Sequence, residues 1–575
     1  MKFCVLALDY DGTIARNGKT DQKIVDAIGE ARGRGIVVIL VTGRILSDLR
    51  RVLSPQGLFD VVVAENGAVI EYAGGRVRLL GGPPEAEFLK GLSQLKIEFE
   101  VGDCVVEADA SDASKILGLI SQMQLPLTLV FNHNRVMVLP QGITKAAGLR
   151  QALRTLRLSV HNCIGIGDGE NDHSLLTACE IGVAVSWGSS SLQKIADKVL
   201  EGSWPDAIAD YIRSVAGKAK LPPNVVDFRR ILLGHLPNGQ PVETVIRGRN
   251  VLVAGDPRSG KSWITGLICE QLILHEYCLC VIDPEGDYAT LESLPNVVVF
   301  GGEDPPPRWH DVERMVRYPD VSMVIDVSRL DYQRKATYVS ELLPRLATLR
   351  RRSGLPHWIV VDEAHYFLGA CDAEPPVDLE LAAYLLITYR PSQICPQLVQ
   401  TLGAIIVTPC TDPHEIKALA SICGAAAEEN TWATVLGNLK IDEAALLPLG
   451  NSADPIPRPF VIAERVTSHV RHRAKYLDVP MPAGHGFVFT HHGQPLAGPA
   501  RTLKEFVTDL ERLPIGAIER HARRGDFSRW IAEVFGDQPL AVAIGHVEEH
   551  YRRDRVANLR KSIVRQIRER YELAV

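Results

Sequence analysis

The sequence predicts two α/β domains followed by a helical C-terminal region, and three patterns indicate this organisation. Short apolar runs alternate with helical segments from residue 1 to about 215, and a second alternating block extends from Asn250 to about Arg465. Such alternation is typical of a parallel sheet covered by helices. The remaining residues show helical periodicity instead, in Leu503 to Leu513, Ile515 to Arg524, Ser528 to Phe535 and Val556 to Leu573.

Length and composition indicate a multidomain globular protein. The chain has 575 residues, of which 46% are hydrophobic and 23% charged, and about 150 residues per domain gives a prior of about four units. Disordered and fibrous classes are excluded by this composition. The net charge is −6, from 63 Lys and Arg against 69 Asp and Glu, so a nucleic-acid or anionic-lipid contact requires a local basic patch.

Targeting signals and cysteine chemistry point to the cytoplasm. The apolar runs are shorter than the roughly 20 residues that cross a bilayer, and the N-terminus reaches Asp9 too early for a signal peptide. We therefore expect no membrane partner. The 11 cysteines are scattered, which favours buried reduced thiols over a zinc site.

The first chemical signal is a pair of aspartates at a strand end. Phe3 to Leu8 reads as an apolar strand that ends at Asp9, Tyr10 and Asp11, and open α/β sheets bind their ligands at such ends. Alternation places Asp9 and Asp11 on one side of the strand. Two crowded carboxylates require a cation or a shared proton, although a simple strand-end turn also uses Asp and Gly.

Further polar groups follow at later points of the same domain. Thr42 follows the strand Val38 to Val41, Lys145 begins a later segment, and the strand Cys163 to Gly167 leads to Asp168 and Asp172. A carboxylate nucleophile, a hydroxyl and an ammonium for phosphoryl oxygens, and further acids for a hard cation together predict phosphoryl transfer.

With these four motifs in order, residues 1–215 resemble the haloacid dehalogenase superfamily of phosphatases. The resemblance implies a Rossmann-like domain in which Asp9 attacks phosphorus and forms an aspartyl phosphate. Asp11 would protonate the leaving alcohol and then activate water. Thr42 and Lys145 would hold the transferring phosphoryl group. The Mg²⁺ ligands implied are Asp9, Asp168 and Asp172, with Asp11 contributing its backbone carbonyl.

An insertion between the second and third motifs predicts a substrate-selecting cap. Residues 82–142 resemble the small α+β cap of the branch that contains sucrose and phosphoglycolate phosphatases. In that branch the cap selects the substrate. We therefore expect a small phosphorylated substrate.

A glycine-rich loop opens the second domain. The strand Asn250 to Ala254 leads into a segment that matches G-x-x-x-x-G-K-S/T, and an apolar helix follows from Trp263. Such a loop directs backbone N–H groups at phosphates, and its lysine neutralises the β and γ oxygens while its serine ligates Mg²⁺. The predicted ATP ligands here are Gly255, Gly260, Lys261 and Ser262.

Two acids after a later strand indicate hydrolysis of the nucleotide. His357 to Val361 reads as a buried strand that ends at Asp362 and Glu363. Asp362 is placed to bind Mg²⁺ through water, and Glu363 to polarise the attacking water. Mg²⁺ and ATP are thus the predicted cofactors.

Residues 225–465 resemble the HerA/FtsK-type ATPases, on the segments Val281 to Tyr288 and Thr388 to Ser392. The resemblance implies a ring, usually hexameric, that acts on DNA or protein and holds ATP between subunits. The sequence departs from that family at Tyr389, where glutamine is usual, and it lacks the family's arginine finger motif. Substitutes for that finger are Arg345, Arg350, Arg351 and Arg352.

The predicted domains are residues 1–215, 225–465 and 470–575, with a linker from Ala216 to Val225. Part of the last domain faintly resembles a helical accessory domain found beside sugar-phosphate phosphatases. From Tyr551 to Val575 there are eight Lys or Arg against three Asp or Glu, which favours a solvated helix face over a nucleic-acid contact.

These observations predict a Mg²⁺-dependent phosphomonoester hydrolase fused to an ATP-binding and hydrolysing domain. Three alternatives remain at this point: an ATP-driven DNA translocase with an accessory phosphatase, a nucleic-acid end-processing enzyme, and a slow nucleotide-gated assembly. Glu363 argues against a kinase, because a water-activating acid favours hydrolysis. The predicted partners are a small phosphorylated substrate, ATP, further copies of the chain in a ring and, in two of the alternatives, nucleic acid.

Overall fold

The computed structural model describes residues 1–53, 57–132, 134–218, 220–221, 229–245, 247–369, 376–425, 428–449, 455–467, 486–491, 494–532, 538–554 and 558–571. The chain forms two compact units, Met1–Ser468 and His469–Val575. The predicted domains 1–215 and 225–465 both fall in the first unit, and their boundaries stay predictions. Most of the predicted linker lies outside the described residues. No helix in the described part of the chain is both long enough and apolar enough to cross a bilayer.

The N-terminal part of the first unit alternates strands and helices as its sequence predicts. Its strands are β1 (Val5–Leu8), β2 (Ala15–Arg16), β3 (Lys19–Thr20), β4 (Val37–Val41), β5 (Val61–Ala64), β6 (Val69–Tyr72), β7 (Val77–Leu79), β8 (Phe99–Val101), β9 (Val106–Asp109), β10 (Leu127–Asn132), β11 (Arg135–Pro140), β12 (Cys163–Gly167), β13 (Ile181–Val185) and β14 (Lys198–Leu200). Its helices are α1 (Gln22–Gly33), α2 (Leu46–Val52), α3 (Ala86–Gln94), α4 (Ala113–Met123), α5 (Lys145–Leu156), α6 (His173–Ala178), α7 (Ser190–Ile195) and α8 (Asp206–Ala216).

These strands form an eight-stranded sheet, a four-stranded sheet and the two-stranded pair β2-β3. The larger has the order β14-β13-β12-β1-β4-β5-β6-β7, parallel from β14 to β5 and antiparallel at β6 and β7. Every residue of β1 is buried, as expected for a central strand covered on both faces. The smaller, antiparallel sheet has the order β10-β11-β9-β8 and packs with α3 and α4 as a cap.

The second part of this unit is built on an 11-stranded sheet. Its strands are β15 (Arg230–His235), β16 (Pro241–Val245), β17 (Asn250–Ala254), β18 (Leu279–Asp283), β19 (Val297–Gly301), β20 (Ser322–Asp326), β21 (Trp358–Val361), β22 (Tyr384–Thr388), β23 (Leu402–Val407), β24 (Glu443–Leu446) and β25 (Arg458–Ile462). Its helices are α9 (Lys261–Leu274), α10 (Trp309–Val316), α11 (Tyr332–Ser353), α12 (Ala364–Phe367), α13 (Pro396–Val399), α14 (Pro413–Ile422) and α15 (Glu429–Gly437).

The order of this sheet is β16-β15-β25-β24-β23-β17-β22-β21-β18-β20-β19. The seven strands from β23 to β19 are parallel. The four strands at the other edge are antiparallel, which the alternating pattern did not predict. The α/β fold class is confirmed, and the sheet is mixed; β15 and β16, for example, are joined by a short turn and not by a crossover helix.

A buried polar cluster joins the two parts of the first unit. The Glu180 carboxylate, which is fully buried, accepts a hydrogen bond from the Tyr277 hydroxyl at 2.9 Å and lies 2.8 Å from His161 Nδ1. Arg247 Nε donates to its other oxygen at 3.1 Å. Neutralisation of this kind is what a buried carboxylate requires. Burial alone would raise the pKa of Glu180, but Arg247 and the other donors hold it well below its usual range.

The second unit is small and helical. It contains β26 (Thr490–His491), β27 (Gln494–Pro495), α16 (Leu503–Arg512), α17 (Ile515–Arg524), α18 (Asp526–Trp530), α19 (Gln538–Asp554) and α20 (Leu559–Tyr571). Its core includes a cluster of packed aromatic rings, Phe487, Phe489, Phe506, Phe527 and Trp530. The helix α19 was not predicted from the sequence.

Candidate active sites

The first candidate site lies at the carboxyl ends of β1 and β12, which are neighbours in the sheet. Asp9 follows β1, and Asp168 and Asp172 follow β12. The three side chains are buried, and each offers a carboxylate oxygen within 4.8 Å of those of the other two. Gly12 permits this approach: its φ is +78°, and a Cβ there would lie 2.0 Å from Asp168 Oδ2.

Lys145 is the first residue of α5 and enters the same cluster. Its ammonium lies 2.6 Å from Asp9 Oδ1 and 2.5 Å from Asp172 Oδ1, and all three groups are buried. Burial alone would lower the pKa of Lys145, but the carboxylates of Asp172 and Asp9 reverse the effect and raise it. Burial raises the pKa of Asp9, the Asp172 carboxylate raises it further, and Lys145 opposes both. The arrangement places two acids, Asp9 and Asp172, against one ammonium, with Asp168 beside these acids.

This donor set fits a divalent metal ion. Three carboxylates and one ammonium leave two negative charges without a compensating cation among these four groups. Hard cations such as Mg²⁺ prefer carboxylate oxygen. Asp172 is also fixed by its surroundings, because its Oδ2 accepts hydrogen bonds from the backbone N–H groups of Asp168 and Gly169 at 3.1 and 3.0 Å.

Asp11 is held apart from this cluster by Arg44. Arg44 Nε donates to Asp11 Oδ2 at 2.6 Å, and Nη2 donates to Oδ1 at 2.7 Å. The same guanidinium reaches Asp48 Oδ2 at 3.0 Å. The side chain of Asp11 is 40% exposed, so it stands at the solvent side of the buried acids. The sequence interpretation did not include Arg44 among the site residues, although Arg44 lies only two positions after Thr42.

Thr42 and the cap complete the enclosure of this site. Thr42 is buried at the end of β4, which pairs with β1, and its hydroxyl oxygen accepts the backbone N–H of Arg44 at 3.2 Å. From the cap, Met137 comes so close to Gly43 that a Cβ there would lie 3.2 Å from its Cε. The cap strand β11 therefore borders the loop that carries Thr42.

A second buried glutamate ties the core to the cap. Glu65 follows β5 with φ of +52°, and its carboxylate accepts the backbone N–H groups of Asp103 and Cys104 at 2.9 Å each. Burial raises the pKa of Glu65, and these hydrogen bonds partly offset the rise. Glu65 thereby fixes the position of a cap loop relative to the core.

The second candidate site lies at the carboxyl end of β17. Gly255 has φ of +149° and approaches Thr408 so closely that a Cβ would lie 2.0 Å from its Oγ1, and Gly260 has φ of +97°. Lys261 begins α9 and donates to the backbone carbonyls of Gly255 and Asp256 at 3.0 and 2.7 Å. The loop is thus curled around the lysine, in the shape that a phosphate-binding loop requires.

Two predicted acids follow β21, which is separated from β17 by β22 in the sheet. Asp362 is buried after β21, and its Oδ1 accepts the backbone N–H of Glu363 at 2.9 Å. Glu363 has φ of +49°, and its Oε2 lies 3.5 Å from His365 Nδ1. Burial lowers the pKa of His365 to about 4, with Arg390 and Lys261 adding to the shift. At neutral pH this imidazole is therefore uncharged.

The sequence interpretation missed a third acid of this site, Asp287. Its Oδ2 accepts the hydroxyl of Ser262 at 2.6 Å. A turn after β18 holds it there, because Asp283 Oδ1 accepts the backbone N–H groups of Gly286 and Asp287 at 2.6 and 3.1 Å. Burial raises the pKa of Asp283 to about 7, and the neighbouring Asp287 adds to the rise. The sequence signal that could have identified Asp287 is its spacing of four residues from Asp283, the last residue of a buried strand.

One of the four arginines considered as a substitute finger is held inside the fold. Arg350 is 1% exposed, donates to the Ala382 carbonyl and lies over the Tyr384 ring. Arg350 is part of the core under α11, so the hypothesis that it reaches a neighbouring subunit is wrong.

The comparisons with known proteins identify both parts of the first unit. Residues 6–79 and 85–212 match the family model for haloacid dehalogenase-like hydrolases, and residues 235–352 match the one for the central domain of helicase HerA. A phosphoglycolate phosphatase of Methanosarcina acetivorans is 27% identical over 224 residues, 37% of this chain and 96% of the relative. That of Methanothermobacter thermautotrophicus is 28% identical over 222 residues, 37% of this chain and 98% of the relative.

Among solved structures, a phosphatase of the HAD superfamily from Bacteroides thetaiotaomicron is 23% identical to this chain. The match covers 38% of this chain and 96% of that one, with a TM-score of 0.33. The first match includes Asp9, Lys145, Asp168 and Asp172. The second includes the glycine-rich loop with Lys261 and the strands β16 to β20, and it ends before Asp362 and Glu363. The chain therefore combines a haloacid dehalogenase-like hydrolase domain with a HerA central domain.

Proposed function

We propose that the haloacid dehalogenase-like domain is a Mg²⁺-dependent phosphatase that acts on a small phosphomonoester. The observation that carries this proposal is the buried cluster of Asp9, Asp168 and Asp172, with the Lys145 ammonium against Asp9 and Asp172. Its surplus of negative charge suits a divalent cation, held by the three aspartates with the Asp11 carbonyl. When bound, Mg²⁺ would neutralise the negative charge of the acids and the phosphoryl group.

In the proposed mechanism Asp9 is the nucleophile. One of its carboxylate oxygens attacks phosphorus while the bond from phosphorus to the ester oxygen breaks, giving an aspartyl phosphate. Asp11 must carry a proton to give it to the departing alkoxide, so one of its two contacts with Arg44 opens before it acts as the acid. Water then attacks the aspartyl phosphate as Asp11 takes a proton from it, and inorganic phosphate leaves with Asp9 restored.

The other polar groups hold the phosphoryl oxygens. Lys145 already touches Asp9, so a phosphoryl group on that oxygen would lie against its ammonium. Thr42 stands at the adjacent strand end and offers a hydroxyl. Such preorganised donors stabilise the charge that develops in phosphoryl transfer. The cap strand at Met137 limits the room above them, which favours a small substrate.

We propose that the HerA central domain binds and hydrolyses ATP. The curled loop at Lys261, the Ser262 hydroxyl and the acids Asp362 and Glu363 follow the carboxyl ends of β17 and β21, two strands of the parallel part of one sheet. Ser262 and Asp362 would hold the Mg²⁺ of the nucleotide, directly and through water. Glu363 would polarise the attacking water.

The experiment is a measurement of phosphate release from a panel of substrates, with and without Mg²⁺. The panel contains 2-phosphoglycolate, named in the relatives' descriptions, sugar phosphates, ATP, and oligonucleotides phosphorylated at either end. Fast release from small monoesters supports the proposal. Preference for the oligonucleotides would instead identify a nucleic-acid end-processing enzyme.

A second candidate function, an ATP-driven DNA motor, is favoured by the match to the central domain of helicase HerA. In that case DNA should stimulate ATP hydrolysis, because a motor couples turnover to its track. ATP hydrolysis that is independent of DNA would contradict the motor and leave the phosphatase proposal intact.

A further inference from the structure

A cleft separates the phosphatase-like and HerA parts on the side away from both candidate sites. It has a volume of about 300 Å³ and is lined by the C-terminal halves of α5 and α9 and by two loops that precede β19 and β20. The helices α5 and α9 begin with Lys145 and Lys261. A ligand in this cleft would therefore touch both helices that start in the two sites.

The floor of the cleft is apolar. Leu153 and Leu158 contribute it from the phosphatase-like part, and Ile273 and the ring of Tyr277 from the HerA part. Pockets for small molecules typically combine such a floor with a few polar groups and often lie between domains. The floor accommodates the hydrocarbon part of a ligand.

The rim of the cleft carries two ion pairs that cross between the two parts. Arg150 Nε lies 2.9 Å from Glu276 Oε2, and Arg154 Nη2 lies 3.0 Å from Asp320 Oδ2. The arginine side chains are 44% and 58% exposed. Exposed pairs of this kind contribute little to stability, because water competes with them. A ligand can therefore replace the acidic partners of these arginines at a small cost in free energy.

The geometry favours an anionic ligand over a cationic one. Arg150 and Arg154 stand one turn apart on the same helix, so one anionic group can reach both guanidinium groups. Glu276 and Asp320 belong to separate loops, after α9 and before β20. The last carbonyls of α5 are also capped, by the backbone N–H groups of Arg157 and Leu158, which limits the negative charge exposed there.

We propose that this cleft is a binding site for a small organic anion, a carboxylate or phosphate on an apolar body. The anionic group replaces Glu276 and Asp320 at Arg150 and Arg154, while the apolar body covers Leu153 and Ile273. The site is separate from the phosphatase and ATP sites and does not depend on the activity of either.

The test uses 1-naphthoate as the probe and 1-naphthol as its uncharged control. Binding to the full chain is measured by calorimetry with Mg²⁺ and a non-hydrolysable ATP analogue present, so that the ATP site is occupied without heat from turnover. We expect 1-naphthoate to bind more tightly than 1-naphthol. The double variant Arg150→Gln with Arg154→Gln should weaken 1-naphthoate binding by about tenfold or more.

Two further variants make the result specific. Arg157→Gln removes an arginine just beyond the cleft, stacked on Tyr318, and should leave the affinity unchanged. Glu276→Gln with Asp320→Asn removes the competing acids and should tighten binding severalfold. Equal affinity of the arginine double variant and the unmodified protein, failure of the acid variant to tighten, or no binding of 1-naphthoate would each overturn the proposal.

Discussion

Arg44 donates hydrogen bonds to both carboxylate oxygens of Asp11, with donor to acceptor distances of 2.6 and 2.7 Å. A guanidinium matches a carboxylate in this two-point geometry better than any other side chain. Arg44 is held in turn by Asp48 and lies over the Tyr10 ring. The proposed acid and base of the phosphatase therefore has one fixed orientation, set by a residue two positions after Thr42.

Arg44→Ala should lower kcat of the phosphatase by about ten- to a hundredfold, part of what a general acid contributes. The cause is loss of orientation at Asp11, so KM should change less than kcat. Arg44→Lys should restore little of the lost kcat, because an ammonium lacks the planar pair of donors that binds both oxygens of Asp11. Steady-state kinetics check this, with Arg50→Ala as the control, since Arg50 makes an exposed ion pair with Glu71. A change confined to KM would contradict the positioning role.

Asp9→Asn should abolish phosphatase turnover while ATP hydrolysis persists. The amide removes the attacking oxygen, whereas the ATP site lies on a separate sheet. Phosphate release from a small monoester and from ATP measures both reactions in one preparation. Asp26→Asn, at an exposed position on α1, is the matched control. Retention of most phosphatase activity by Asp9→Asn would exclude Asp9 as the nucleophile.

Lys261→Ala and Glu363→Gln should damage the ATP site in different ways. The first removes the charge that faces the phosphates and should weaken nucleotide binding. The second should preserve binding but stall hydrolysis, because it removes the group that polarises water. Nucleotide titration and ATPase assays separate the two effects, with Lys417→Ala, on an exposed face of α14, as the control. An unchanged hydrolysis rate in Glu363→Gln would make Glu363 structural.

His161 and His357 should each destabilise the first unit as the pH falls below about 6.5, the pKa of histidine in an unfolded chain, whereas Asp283, whose pKa burial raises to about 7, acts in the opposite direction over this range. Burial lowers the pKa of His161 and His357, so in acid the unfolded chain binds more protons than the folded chain. Proton binding therefore stabilises the unfolded state relative to the folded state. The effect is about 1.4 kcal/mol per pH unit for each such histidine. Glu180, whose pKa is also lowered, adds a further loss only below about pH 4.3.

His357→Asn tests this pH dependence, because the asparagine oxygen can still accept the Cys278 N–H that His357 Nδ1 accepts at 2.9 Å. Unfolding midpoints between pH 7.5 and 5.5, a range set around the histidine pKa, should fall less steeply in this variant than in the unmodified protein. The exposed His310→Asn serves as control. The same steepness in all three proteins would show that His357 does not carry the effect.

The chain should form an ATP-dependent oligomer, a ring of six by its resemblance to the HerA/FtsK-type ATPases. A cation from a neighbouring subunit should raise turnover by stabilising charge on the γ-phosphate, and a closed ring limits growth. Light scattering with ATP and Mg²⁺ measures the mass. A monomer of 63.1 kDa with an ATPase rate per chain independent of concentration would rule the ring out.

The sequence by itself determined the α/β fold class, and it predicted residues of both candidate sites. Asp9, Lys261 and Asp362 could be found because each follows or begins a short local pattern, an apolar strand or a glycine-rich loop, whose conformation depends on nearby residues. Parallel strands then bring such ends to one edge of a sheet. The antiparallel strands β15, β16, β24 and β25 were missed, and the pairing of β15 with β25, Gly234 with Ile462, is one that no local pattern indicates.

Only the tertiary structure decided which of these groups touch. Arg44 and Asp11 are 33 residues apart, Ser262 and Asp287 are 25 apart, and Glu180 meets Tyr277 across 97 residues. The cleft between α5 and α9 likewise exists only where two separate sheets pack together. A local pattern sets which face a side chain occupies, but the register of distant strands and the packing of domains set its neighbour, and these depend on the summed burial of the whole unit.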